Sequence, residues 1–228
     1  MRVAIVAASA ALVMGWATPV VAQLENITNR EATSALKTAL EKGSRAAVDQ
    51  LGKVNGFFGD TRVRIPLPES LQKAERTMRR LGMGKYADEL VLTMNRAAEA
   101  AVPEAKQLFV DSVKKMSVQD AKGILTGGET SGTEYFKRTT TEQLRKRFLP
   151  IVKQSTAKVG LAQSYNQYAE HGVSLGLIRQ EQANLDDYVT QKALDGLYFM
   201  VAEEEKKIRK DPVGSASNII KKVFGALL

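Results

Sequence analysis

Between Ala193 and Ala202 the chain reads ALDGLYFMVA, with Asp195 as its one charge and apolar side chains at nearly every angle of a helical wheel. A helix that is apolar all round must be covered all round. The stretch sits inside a longer helical pattern, opened by Asn184 and Asp187 as caps and closed at Asp211-Pro212. It therefore predicts an all-α protein: a compact multi-helix bundle around a buried helix in the C-terminal half.

The remaining patterns supply the sheath. From Ile27 onward apolar residues recur with helical spacing, and no half-buried strand of period two stands out. Thr28 with Glu31 reads as a capping box for a helix whose apolar face is Ala32, Leu36, Ala39, Leu40, Gly43, Ala47 and Leu51. Glycines and prolines then make residues 52 to 68 a long connector, and Val63 to Leu67 is the one place for a short extended segment. Leu71, Ala74, Met78 and Leu81 form the next helix, stopped by Gly82 and Gly84. Ala87, Leu90, Val91, Met94, Ala98 and Ala101 share one face of the helix that follows, with Asp88, Glu89, Arg96 and Glu99 opposite. Pro103 restarts or kinks it. Ser117 and Asp120 cap a short helix closed by Gly127-Gly128, and Tyr135 and Phe136 fall on a further turn. Thr140 with Gln143 reads as the start of another helix, through Leu144, Phe148 and Val152, restarted or kinked at Pro150 and ending at Gly160. A helical piece over 161–171, a loop with some helix after it, and a final amphipathic helix carrying Ile219, Ile220, Val223, Phe224 and Leu227 complete the chain.

The first 22 residues have the form of an export signal: Arg2, an apolar run from Val3 to Ala17, and small residues at Val20 and Ala22 that place cleavage between Ala22 and Gln23. The run is too short for a transmembrane helix, which needs about 20 apolar residues. Residues 23–228 are expected to form a single helical domain. The absence of cysteine removes disulfides, thiolate ligands and a thiol nucleophile together. The single histidine, His171, lies in no metal-ligand or metalloprotease spacing, so neither a metal nor a cofactor is implied. The formal charge of +8 falls by one to +7 when the segment holding Arg2 is removed. That excess suits anionic lipid or another acidic envelope component, and export argues against nucleic acid as a partner.

Two sets of residues stand out as candidate sites. The stretch ILTGGETSGTEYFKRTTT resembles a phosphate loop at a glance, but Gly127 and Gly132 are followed by Thr133 and Glu134 where a Walker loop needs lysine and a hydroxyl residue. The loop reads better as a helix stop followed by caps. A residual anion site would combine Arg138 with the N–H groups of a helix beginning at Thr140 and Thr141. The second set is Asp195, isolated among apolar residues, and Glu204, at the centre of the face set by Val189, Ala193, Leu197 and Met200. Either could be a buried polar group and, if desolvated, an acid or base. No nucleophile elbow or catalytic triad spacing accompanies them.

Several long motifs, IPLPESLQKAERTMRRLGMGKYADELVLTMNRAAEAAVPEAK, MSVQDAKGILTGG with the later YFKRTT, RFLPIVK, and LDDYVTQKALDGLYFMVAEEEKKIRKDP, closely resemble the bacterial family known as domain of unknown function 4197. The resemblance runs from about Ala35 to Phe224. It implies an exported, all-helical, periplasmic protein of Gram-negative bacteria and carries no catalytic residues over. The expected function is non-enzymatic binding of a lipid or other envelope component. The alternatives are a carboxylate-dependent hydrolase or lyase of the envelope and a structural protein that self-associates.

Overall fold

The computed structural model describes residues 29–82, 84–158, 165–166 and 184–211. Its helices are α1 (Asn29–Leu51), α2 (Glu69–Arg80), α3 (Gly84–Ala101), α4 (Ala105–Lys115), α5 (Val118–Leu125), α6 (Ser131–Thr156) and α7 (Leu185–Lys210), with a 3₁₀ turn at Val102–Glu104 where Pro103 divides α3 from α4. No β-strand occurs among the described residues. The expected signal segment 1–22, the cap at Thr28, the helical piece over 161–171 with His171 and the final amphipathic helix lie outside the described residues, apart from Tyr165 and Asn166.

The apolar stretch of α7 is the axis of the bundle. α7 packs on α6, α1 and α3, and Ala193, Leu194, Leu197, Met200 and Val201 are all buried. The covering is not complete, contrary to the sequence expectation: Asp195 is exposed and Phe199 is 39% exposed. Four residues apart, they share one strip of the helix that is left partly open, with the Arg62 guanidinium over the Phe199 ring at 5.9 Å. One charge in ten residues marks where such a strip begins, but spacing alone cannot show that an aromatic ring continues it.

The expected restart at Thr140 is a second correction, because α6 runs unbroken from Ser131 through Pro150 to Thr156. Tyr135 and Phe136 are buried on its first turns, and the Phe136 ring packs at a 45° tilt against Phe109 of α4, 4.6 Å between ring centroids. That burial holds the helix where the local signal suggests a cap. Thr139, Thr140 and Thr141 satisfy their hydroxyls inside the helix by donating to the carbonyls of Tyr135, Phe136 and Lys137, at 2.8, 2.6 and 2.7 Å. Two other caps, at Ser117 and Asn184, form as the sequence indicates. Ser117 and Asp120 make a capping box on α5, and the Asn184 side chain accepts from the N–H groups of Asp186 and Asp187.

Phe57, Phe109, Phe136 and Phe148 are fully buried. Each contributes on the order of 2–3 kcal/mol through removal of apolar surface from water. Phe57 comes from the connector rather than a helix and fits against Gly196 of α7, where a Cβ would stand 2.6 Å from its ring. This contact fastens the connector to the axial helix. It also places the connector's next residues over α3.

Candidate functional site

Two polar residues one turn apart on α3, Asn95 and Glu99, are buried and point at the connector. Glu99 Oε1 accepts from the backbone N–H groups of Phe57 and Phe58 at 3.0 and 3.1 Å. Its Oε2 receives Arg96 Nη1 at 2.5 Å, and Arg96 Nη2 continues to the Asn55 side chain at 2.8 Å. Asn95 brackets Ile65, accepting from its N–H and donating to its carbonyl. The Tyr188 hydroxyl on α7 then donates to the Pro66 carbonyl at 3.1 Å. A connector of this length is thereby pinned at Phe57, Phe58, Ile65 and Pro66. Val63, Ile65 and Leu67 face inward while Arg64 and Pro66 face out; Val63 belongs to the preceding turn, and residues 64–67 form no strand, Ile65 pairing with a side chain instead.

The other buried carboxylate is Glu205. Its oxygens accept from the N–H groups of Gly132 and Thr133 at 2.9 and 2.8 Å and from the Thr133 hydroxyl at 2.9 Å. Arg209, one turn further along α7, completes its coordination at 2.9 Å and donates to the Ile124 carbonyl at 2.8 Å. Glu205 thus caps the N-terminus of α6 from another helix, supplying what the Thr130 N-cap position lacks, since Thr130 makes no side-chain capping bond.

The sequence singled out its neighbour Glu204 as the candidate buried polar group, and Glu204 has a different environment. Its stem lies near Gly43 of α1 and its carboxylate turns outward to Lys207 at 2.6 Å. The apolar face of α7 does point at Glu204, but the N-terminus of α6 stands to one side of that face and meets Glu205 instead. The available signal was the Glu205–Arg209 spacing of four, a pair able to neutralise itself when buried. Asp195 is likewise not a buried group: it is exposed and accepts from Gln191 Nε2 at 2.8 Å.

The expected anion contacts are also rearranged. With α6 continuous, the N–H groups near Thr140 and Thr141 lie inside the helix and are not free to bind an anion. Both hydroxyls meet the Tyr198 hydroxyl, at 2.9 and 3.0 Å, which ties α6 to α7. Arg138 points elsewhere, to Asp120 at 3.1 Å and over the Tyr135 ring. Arg138 and Thr140 do line one polar cleft of about 400 Å³ between α4, α5 and α6, together with Lys115, Asp111 and Asp120. The Ser117 hydroxyl, its amide and the Arg138 charge hold the Asp120 carboxyl below the usual carboxylate range. Two cations facing two carboxylates leave this cleft without a net preference for an anion.

Among the described residues no group of His, Asp or Glu side chains is arranged to hold a metal ion, and no helix is long and apolar enough to cross a membrane. The buried polar groups at Asn95, Glu99 and Glu205 are spent on backbone amides and carbonyls. The molecule is therefore defined as an all-helical bundle with a side-chain-pinned connector. The chain belongs to the family described as Protein of unknown function (DUF4197), which it matches over residues 26–225. Neither a curated protein nor a solved structure matches it.

Proposed function

We propose that this protein acts by binding, as an exported periplasmic helical domain spanning residues 23–228 that engages an anionic component of the cell envelope, a lipid above all. The observation that carries the reading is the use made of charge. Among the described residues the two buried carboxylates, Glu99 and Glu205, hold backbone in place, whereas the lysines and arginines that carry the basic charge are largely exposed. A surface of that kind attracts anionic headgroups by a mechanism that weakens with salt.

Flotation of the protein with vesicles containing phosphatidylglycerol or phosphatidylcholine alone tests it. Association with the anionic vesicles at low salt, reduced at moderate salt and absent from zwitterionic vesicles, is the expected result. No association at either salt rejects the reading. Export is tested separately by N-terminal sequencing of protein recovered from a periplasmic extract, which should begin at Gln23.

A further inference from the structure

α2 and α3 form a helical hairpin, and α2 packs chiefly on α3. The turn between them depends on Gly82, whose φ of 75° is a left-handed conformation that glycine adopts without the strain of a side chain. A Cβ placed there would meet nothing within 4 Å, so the turn faces open space. Leu81, immediately before it, is 70% exposed, and Tyr86, on the first turn of α3, is 44% exposed. Neither degree of exposure helps the fold, since apolar surface contributes only when removed from water.

Basic residues predominate at this tip, with Glu75, Asp88 and Glu89 flanking them. From 76 to 86 the basic residues are Arg76, Arg79, Arg80 and Lys85, with no aspartate or glutamate among them. Arg79 is used internally, bridging Glu75 at 2.9 Å and Asp88 at 2.5 Å, and this braces α2 against α3. Arg76, Arg80 and Lys85 are exposed and make no ion pair among the described residues. Lys85 instead lies 5.2 Å from the centre of the Tyr86 ring.

An apolar tip, an aromatic ring at its flank and unpaired cations around both match the layers of an anionic bilayer surface. A leucine can enter the acyl boundary, a tyrosine sits at headgroup depth, and lysine and arginine keep their charges among the phosphates while their stems cover apolar surface. A soluble anion would have no use for Leu81, and an apolar protein partner would have none for Arg76, Arg80 and Lys85. We propose that the α2–α3 hairpin is the membrane-contacting edge of this protein, seating Leu81 at the headgroup boundary of an anionic lipid bilayer with Arg76, Arg80 and Lys85 against its phosphates. The proposal rests on the envelope-binding reading above and names the site for it.

The full chain contains one tryptophan, Trp16, so Leu81→Trp in a Trp16→Phe background puts the sole indole at the tip. With phosphatidylglycerol vesicles its emission should shift to the blue and be quenched by brominated lipid. Unshifted emission from protein that floats with those vesicles overturns the proposal. Flotation of Leu81→Asp should show partitioning weakened roughly tenfold, from loss of the apolar anchor. The triple variant R76E/R80E/K85E should lose at least roughly a hundredfold, at about fivefold for each basic charge removed from an anionic surface, with the repulsion of the added glutamates increasing the loss. A charge-matched control, K42E/K122E/K210E on α1, α5 and the end of α7, should stay within about threefold of wild type, because surface attraction fades within a Debye length. All three sets alter exposed side chains, and thermal unfolding should remain cooperative in each. If wild type floats and the hairpin variants float equally well, or the control falls as far as the triple variant, the hairpin is not the contact and envelope binding stands. If wild type does not float, both readings fall.

Discussion

Asn95 closes both hydrogen-bonding positions of Ile65: its amide oxygen accepts from the Ile65 N–H at 2.8 Å, and its Nδ2 donates to the Ile65 carbonyl at 2.9 Å. One side chain thus does for the connector what a neighbouring strand would do in a sheet. Nδ2 also donates to the Val91 carbonyl at 2.8 Å, so the amide group is fully used. The contact is buried, which means that water cannot replace it.

Replacing Asn95 by leucine, branched at the same carbon but without polar atoms, leaves the Ile65 N–H and carbonyl unpaired in the core. The expected cost is about 2–4 kcal/mol, given about 1–3 kcal/mol for each buried group left unsatisfied. Urea unfolding followed by circular dichroism measures it. A loss under about 0.5 kcal/mol would mean that the connector finds other partners.

Gly196→Ala should be destabilising although alanine is the better helix former. The new methyl would meet the Phe57 ring at 2.6 Å, and forcing the two apart costs about 1–3 kcal/mol. Phe57→Leu in the same chain should recover part of that cost, so the double variant should be more stable than the sum of the single changes indicates. Strict additivity in thermal unfolding would show that Phe57 does not fill the notch.

The helical architecture was legible because it depends on spacing. The apolar faces of α1 and α3, the capping box at Ser117 and the stop at Gly82 follow from local chemistry, and the buried axis follows from one nearly charge-free segment. Contacts that join distant segments were not legible. Thr140 with Gln143 has the form of a helix start, yet burial of Tyr135 and Phe136 extends α6 through it. Glu99 falls on the polar side of its helix by pattern, but the connector folds over that side and buries it. Glu205 is one residue from the position the pattern favours, because the helix end that it caps comes from residues more than 70 positions away. In each case the deciding partner is remote in sequence, and local spacing does not identify it.

The distinction between the adjacent glutamates is measurable. Glu205→Gln removes the charge that faces Arg209 and the start of α6, and should cost about 3 kcal/mol, as breaking one side of a buried pair does. Glu204→Gln loses only a pair with Lys207, whose side chain is 65% exposed, and should stay within about 0.5 kcal/mol of wild type. Chemical denaturation of the two variants side by side decides it; equal losses would contradict the capping role.

Thr190 offers a change in the opposite direction. Its hydroxyl is fully buried on α7 and has no hydrogen-bond partner among the described residues. Thr190→Val keeps the branched shape and removes the unpaired group, so it should raise stability by about 1–2 kcal/mol. A fall in melting temperature would mean that the hydroxyl has a partner.

The alkaline limit of stability should be set in part by Tyr188. Burial pushes its phenol up to about 12, and the negative charges that Tyr165 and Glu69 can carry add to the effect. Tyr165 and Tyr198 are raised as well, again chiefly by burial. An unfolded tyrosine ionises near pH 10. Between the two values the native protein holds a proton that the unfolded chain has released, so the slope of unfolding free energy against pH is negative there. The stability from Tyr188 is therefore fully present below about pH 10 and is lost as pH rises toward about 12. Tyr188→Phe should lower stability at neutral pH by about 1 kcal/mol, the worth of the bond to Pro66, and should make the decline above pH 10 shallower. Denaturant unfolding across that range, with tyrosinate absorbance recorded in parallel, tests both effects. A variant whose decline is as steep as that of the wild type would place the alkaline sensitivity elsewhere.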